Sequence, residues 1–311
     1  MAKRILLTGY SGFVGQHLVR HLNSYYKLRL LGRSPCKYGT VFKYDLNTSG
    51  VYLEALESVD VLIHCAARVH KMNDSENSSL NDYSEQNSTA TIALAKQAAE
   101  AGVSRFIFLS TIKVNGETNV NQVPFFASDI PSPQDPYSVS KNEAEKKLVE
   151  IGKSAGMEIV IIRPPLIYGP GVKANFLTML KVANKNLPLP LGAINNKRSL
   201  VGIDNLVDLI KTCVEHPNAA NQTFLVSDDN DVSTTELLQM MTRAAGKKPM
   251  LLPIPINWLK FAGKIAGRKA EIDRLCGNLQ VDITHTKEAL DWRPPITIEE
   301  GLKRCFNGVD L

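Results

Sequence analysis

The segment Thr8-Gly9-Tyr10-Ser11-Gly12-Phe13-Val14-Gly15 constrains the fold of this chain more than any other. It follows the apolar run Ile5-Leu6-Leu7 and leads into a helical pattern carried by Phe13, Val14, Leu18, Val19 and Leu22. Strand, glycine turn and helix in that order form the setting in which a dinucleotide pyrophosphate is held. Gly9 lets the chain turn sharply, Gly12 lets the backbone approach phosphates, and Gly15 lets the helix pack against the sheet. The first-turn amides then face the anion with the positive end of the helix dipole behind them. Gly9, Ser11, Gly12, Phe13, Val14 and Gly15 are therefore candidate dinucleotide contacts.

The rest of the first half repeats this alternation. Short apolar runs at residues 28–31, 41–44, 61–64, 106–110 and 159–163 have the composition of parallel strands covered on both faces. Helical stretches lie between them, clearest at residues 88–101 and 138–151. Right-handed crossovers then imply an α/β fold with a doubly wound parallel (Rossmann) sheet and ligands at the carboxyl ends of its strands. Prolines and glycines cluster beyond Arg163, and residues 230–311 read as short helices and loops. Residues 206–214 and 223–226 look like a return to the sheet. The expected division is a dinucleotide-binding domain over residues 1–168, completed by about 202–227. A smaller, mostly helical substrate domain over 169–201 and 228–311 is interleaved with it.

Composition excludes several classes. A net charge of +5 with scattered basic residues and no basic block interleaved with aromatics argues against nucleic acid as a partner. The five cysteines are odd in number, far apart and never in a CxxC arrangement. That argues against a disulfide framework or a metal site and for a reducing compartment, so a cytoplasmic location is expected. No apolar run approaches the length needed to span a bilayer. Residues 257–268 mix Trp258, Leu259, Phe261, Ala262, Ile265 and Ala266 with Lys260, Lys264 and Arg268. Such a helix can lie on a membrane, but a surface helix of the small domain is the favoured reading.

Tyr137-Ser-Val-Ser-Lys141 sets a tyrosine and a lysine four residues apart at the start of a helix, hence on one face. Asp135-Pro136 is a helix-start signal, and Leu109-Ser110-Thr111 ends a strand at the same sheet edge. A free tyrosine, with pKa about 10, is a poor base at neutral pH, and an adjacent ammonium favours the phenolate. Tyr137 can then exchange a proton while hydride moves at carbon.

With these residues the chain resembles the extended short-chain dehydrogenases/reductases, specifically their nucleotide-sugar epimerase, dehydratase and 4-ketoreductase branch. TGYSGFVG is similar to the family's TGxxGFxG, Tyr137/Lys141 to its YxxxK, and Ser110-Thr111-Ile-Lys-Val-Asn-Gly116 to its SSxxVYG, with Asn115 replacing the usual tyrosine. The resemblance implies that Thr111 is the catalytic hydroxyl beside Tyr137 and Lys141, with Ser110 among the cofactor contacts. It also places Asp45 and Leu46 near adenine, Ala66 and Ala67 of the HCAA turn near a ribose, and Pro164 and Ile167 of the RPPLIYGPG run beside nicotinamide. Asn87 falls where the family has a helical asparagine that steadies the sheet edge. Asn175, Arg198 and, as a second diphosphate ligand, Arg274 are the implied substrate contacts. Arginine suits that work because its planar fork grips two phosphate oxygens. Relatives often pair as homodimers through the helices near 88–101 and 138–151.

After the second strand stands Leu31-Gly32-Arg33-Ser34, with no carboxylate to accept from a ribose 2′-hydroxyl. Arg33 and Ser34 can instead hold a 2′-phosphate, which favours NADP over NAD. The expected activity is hydride transfer at C4 of a UDP-linked, N-acetylated hexose, with epimerase and 4-ketoreductase both open. A reductase of an apolar ketone and a non-catalytic NADP-sensing regulator remain as alternatives from other classes. Asn175 and Arg198 argue against the first, and the intact Tyr137/Lys141 pair argues against the second.

Overall fold

In the computed structural model residues 2–43, 50–67, 84–119 and 121–307 are described. Seven strands form one sheet: β1 (Arg4–Thr8), β2 (Lys27–Gly32), β3 (Thr40–Lys43), β4 (Val61–His64), β5 (Arg105–Leu109), β6 (Glu158–Arg163) and β9 (Gln222–Leu225). Their order is β3-β2-β1-β4-β5-β6-β9, and every neighbouring pair is parallel.

Alternation along these strands builds two cores. Ile5, Leu7, Ile63, Ile107, Val160 and Ile162 point to one face, where the helices Phe13–Leu22 and Ile203–Glu215 cover them with Leu18, Leu22, Leu206, Leu209 and Ile210. Leu6, Leu62, Phe106, Phe108, Ile159 and Ile161 point to the other, beneath Leu94, Ala98, Ala144 and Leu148 of the helices Ala90–Glu100 and Pro136–Ala155. Both faces are dry, which is why the strands read as continuous apolar runs. This is the doubly wound α/β fold that the alternation implied. One segment differs: residues 206–214 belong to the helix Ile203–Glu215, not to a strand. Its apolar residues recur at helical spacing and press on the sheet from one side, whereas β9 alone adds an edge.

The remaining elements form a separate cluster. β7 (Leu166–Tyr168) pairs with β8 (Leu200–Gly202). Around them lie the helices Ala174–Lys185, Thr234–Ala244 and Ile298–Phe306, packed through Tyr168, Phe176, Leu180, Leu237, Leu238, Met241, Ile298 and Leu302. Tyr168 ties this cluster to the sheet: its hydroxyl donates to Asp228 Oδ2 at 2.7 Å, while Asp228 Oδ1 accepts from the Gly202 amide and Asn205 Nδ2. A Cβ on Gly301 would stand 2.7 Å from the Tyr168 hydroxyl, so the helix Ile298–Phe306 carries a glycine where this tyrosine needs room.

Candidate active site

The strand order reverses between β1 and β4, so the turns after these two strands face each other across the crevice where open α/β sheets bind ligands. Gly9 occupies the left-handed region at φ +70°, and a Cβ there would stand 2.6 Å from the Ala66 amide nitrogen. A Cβ on Gly15 would stand 2.1 Å from the Gly9 carbonyl oxygen. Both positions therefore require glycine, the first for conformation and close approach, the second for helix packing. The helix Phe13–Leu22 begins at Gly12, which supplies no capping side chain, and its first turn carries no acidic residue. Its leading amides are left to an anion. The glycine cradle and the uncapped amides fit a dinucleotide pyrophosphate.

Arg33 and Ser34 follow β2 directly and are exposed. Ser34 also accepts, through its carbonyl, a hydrogen bond from the Tyr10 hydroxyl, which fastens this turn to the glycine loop. Asp45 and Leu46 lie outside the described residues.

Beneath the switch point runs a hydrogen-bonded chain whose direction can be assigned. The Ala66 amide donates to Thr8 Oγ1 at 3.3 Å, and Thr8 Oγ1 lies 2.7 Å from His64 Nδ1. On the other side His64 Nε2 lies 2.9 Å from Thr91 Oγ1, which itself donates to the Asn87 carbonyl. Because the Thr91 proton is committed to Asn87, His64 Nε2 carries the ring proton and Nδ1 accepts from Thr8. Asn87 Nδ2 then donates to Ser140 Oγ, and Ser140 Oγ donates to the Tyr137 carbonyl at 2.8 Å. The chain thus links the turn holding Ala66 and Ala67 to the helix bearing Tyr137. His64 is fully buried, and burial, reinforced by the Lys141 charge, pushes its pKa down to about 3. It is a neutral structural connector.

Thr111, Tyr137 and Lys141 gather at the carboxyl end of β5. Thr111 is half-buried and caps the short turn Ile112–Val114, its Oγ1 accepting from the Lys113 amide. Tyr137 is half-buried in the first turn of Pro136–Ala155, a helix started by a capping box between Asp135 and Ser138 with Pro136 behind it. Lys113 Nζ contacts Asp135 Oδ2 at 2.5 Å, so the turn carrying Thr111 is clamped to the cap of the helix carrying Tyr137. Lys141 is 1% exposed and donates to the Leu109 carbonyl at 2.9 Å, with its ammonium 4.4 Å above the Phe108 ring. Burial lowers its pKa to about 8, partly offset by Cys65 and Glu145. A cation held here favours charge on an adjacent phenol oxygen.

Ser110, the expected cofactor contact, has its hydroxyl engaged within the protein. It is buried, and its hydroxyl donates to Glu145. Glu145 in turn pairs with Arg163, whose Nη1 donates to Asn115 Oδ1 at 2.9 Å, while Asn115 Nδ2 donates to the Phe126 carbonyl. Four buried side chains thus share one network behind the reacting residues. Asn115, the departure from the family's tyrosine, satisfies an arginine and a carbonyl there. The spacing Tyr137, Lys141, Glu145 was the signal for this missed member, since each lies one turn beyond the last. Pro164 is buried with its carbonyl accepting from the Ile112 amide, Ile167 is half-buried, and Leu166 is exposed.

On the substrate side, Arg198 and the helix bearing Arg274 are brought together. Arg198 Nη1 donates to the carbonyls of Arg274 at 2.8 Å and Gly277 at 3.2 Å. Burial lowers the Arg198 pKa, and among the described residues no carboxylate forms an ion pair with it. A partly buried guanidinium so placed suits an anion. Arg274 is exposed on the helix Lys269–Cys276, its Nε turned to the Ala270 carbonyl. Asn175 is exposed in the first turn of Ala174–Lys185. Asn196, which sequence reasoning missed, is buried beside Arg198 and donates to the Leu275 and Gly277 carbonyls.

Three known proteins set this geometry in context. A UDP-glucose 4-epimerase of Vibrio cholerae is 50% identical over 98% of this chain and 94% of its own length. An Escherichia coli O157:H7 enzyme, N-acetyl-alpha-D-glucosaminyl-diphospho-ditrans,octacis-undecaprenol 4-epimerase, is 26% identical over 98% of this chain and 95% of its own. The crystal structure of a UDP-glucose 4-epimerase from Thermotoga maritima with UDP-glucose superposes with a TM-score of 0.75 at 22% identity, covering 97% of each chain. The NAD dependent epimerase/dehydratase family matches residues 5–227. With its glycine cradle at the switch point and its tyrosine and lysine one helical turn apart, this chain belongs to the NAD dependent epimerase/dehydratase family of extended short-chain dehydrogenases/reductases.

Proposed function

We propose that this enzyme is a nucleotide-sugar 4-epimerase that inverts C4 of a UDP-linked hexose. The observation that carries the reading is the convergence of Thr111, Tyr137 and Lys141 at the β5 edge beside the glycine cradle. The Vibrio cholerae relative supports inversion over reduction, the two outcomes these residues serve equally.

Gly9, Gly12, Gly15 and the leading amides of Phe13–Leu22 would hold the dinucleotide, with Ala66, Ala67, Pro164 and Ile167 along its length. Bound there, a nicotinamide dinucleotide supplies the acceptor and then the donor of a hydride. Tyr137 takes the proton from the C4 hydroxyl and later returns it to the C4 oxygen. The Lys141 ammonium stabilises the phenolate between these events, and Thr111 hydrogen-bonds the same oxygen. Arg198, with Asn175 and Arg274, would grip the diphosphate, so that the 4-keto sugar can present its other face without leaving. Residues 1–168 thus carry the dinucleotide, and segments 169–201 and 228–311 the sugar nucleotide. The finer reading is an N-acetylated hexose and a homodimer through the helices Ala90–Glu100 and Pro136–Ala155.

Cofactor choice turns on one residue. Arg33 favours NADP, whereas the family's description names NAD. Arg33→Asp is expected to weaken NADP binding far more than NAD binding; equal losses in equilibrium titrations would remove the 2′-phosphate role.

The deciding assay incubates the enzyme with UDP-glucose or UDP-N-acetylglucosamine and follows the C4 epimers chromatographically. Interconversion in both directions with no net consumption of dinucleotide is the expected result. Stoichiometric oxidation of added NADPH by a 4-keto sugar, without interconversion, would make it a reductase instead. An apolar-ketone reductase would gain no thermal stabilisation from UDP or UDP-sugars, and a cofactor sensor would show no turnover.

A further inference from the structure

The helix Ile256–Ile265 turns the wrong residues outward for an ordinary surface helix. Only Leu259 and Gly263 are buried, with Gly263 packed closely against Ile272 of the following helix Lys269–Cys276. Trp258, Phe261 and Ile265 are 70%, 63% and 73% exposed. Their spacing of three and four residues places all three on one stripe. Met250 and Leu252, in the segment leading to this helix, are exposed as well.

Charge marks the same region. Between Glu236 and Glu271 there are seven basic residues (Arg243, Lys247, Lys248, Lys260, Lys264, Arg268 and Lys269) and no acidic one. The whole chain carries +5, so the remainder nets 5 − 7 = −2. The molecule's entire positive excess lies in the segment that exposes the apolar stripe. On the helix itself Lys260 and Lys264, four residues apart, flank that stripe on one side.

We infer that the helix Ile256–Ile265 is a docking element for an anionic lipid surface, with Trp258, Phe261 and Ile265 entering the headgroup region and the flanking lysines meeting lipid phosphates. An aromatic and aliphatic stripe bordered by lysines is the arrangement that seats a helix in a bilayer interface. A second copy of the chain fits less well, because a self-complementary contact on this face would gather the lysines bordering both stripes into one interface. Among the described residues no helix is long and apolar enough to cross a membrane, so the contact is with the surface alone. Helix Lys269–Cys276, packed behind the stripe, ends on the carbonyls that hold Arg198. Docking would bring the candidate diphosphate site within one helix of the lipid headgroups. The inference does not depend on the reaction proposed above.

The test uses the full chain with vesicles of phosphatidylcholine alone and of phosphatidylcholine mixed equally with phosphatidylglycerol. Of the two tryptophans, Trp292 is buried and bonded to Asp208, so a change in emission reports Trp258. Expected are co-sedimentation and a blue-shifted emission with the anionic vesicles, both weakened by salt. Lys260→Gln/Lys264→Gln should lower apparent vesicle affinity about tenfold or more. Phe261→Ser/Ile265→Ser should abolish sedimentation, and both double variants should keep wild-type activity and thermal midpoint in solution. No sedimentation with the anionic vesicles, or equal sedimentation with the neutral ones, would overturn the inference. So would a blue shift that grows with protein concentration in the absence of vesicles, which would assign the face to a second copy.

Discussion

At the scale of single residues, Tyr137 and His64 illustrate opposite uses of a titratable side chain. Tyr137 stands half-exposed in a first helical turn, where a substrate oxygen can reach it. Tyr137→Phe is expected to leave dinucleotide affinity within a few-fold of wild type and to cut turnover by about 10²–10⁴-fold, the usual worth of a positioned acid–base group. Unchanged turnover in a steady-state assay would remove it from the mechanism. His64 is sealed and neutral, with a folded-state pKa of about 3 against 6.5 unfolded. Between these values the unfolded chain binds the extra proton, so stability is full above pH 6.5 and is lost as pH falls towards 3. His64→Phe should be less stable at pH 7, because Thr8 and Thr91 lose a partner, yet should show a shallower decline through the same acid range. Denaturant titrations at several pH values read both effects.

At the scale of elements, the site depends on how two short pieces are held together. Lys113 on the Thr111 turn meets Asp135 at the cap of Pro136–Ala155. Burial opposes ionisation of Asp135, but Lys113 and Ser138 outweigh it and hold the carboxyl below its ordinary value. The ion pair is partly solvated and contributes little by itself. The capping box contributes more, about 1 kcal/mol for loss of such a cap. Asp135→Ala is therefore expected to lower the thermal midpoint modestly and turnover more clearly, with dinucleotide affinity preserved. Circular dichroism melting and initial rates would check the two together, and unaltered turnover would show that the clamp is not needed. Much of this was legible beforehand: Asp135-Pro136 announced the helix, and the Tyr137/Lys141 spacing announced its working face. The Lys113 contact was not, because it joins residues 22 apart whose proximity depends on β5 and the helix sharing one sheet edge.

At the scale of the whole molecule, a buried tyrosine stands where the two assemblies meet. Tyr168 ends β7, in the two-stranded sheet, and places its hydroxyl on Asp228, against Gly301 of the helix Ile298–Phe306. Gly301→Ala would force a methyl to within 2.7 Å of that oxygen. The expected cost is about 1–3 kcal/mol, as for other overpacked interiors. A fall in the denaturant midpoint with the slope unchanged would confirm it; an unaltered midpoint would show that the last helix shifts freely. The uneven charge belongs to this scale too, since a modest +5 overall conceals a segment carrying +7.

The sequence alone determined the elements whose chemistry is local. Gly9, Gly12 and Gly15 dictate a turn and a tight helix start, apolar runs dictate strands buried on both faces, and a four-residue spacing puts Tyr137 and Lys141 on one face. These follow from backbone geometry within one or two turns. Only the tertiary structure decided that Ser110 serves Glu145, that His64 connects Thr8 to Thr91, and that Arg198 rests on the end of the helix bearing Arg274. It also decided that Trp258, Phe261 and Ile265 face outward. Each of these depends on which element lies against which, and a periodic pattern states that a helix has an apolar face without stating what covers it.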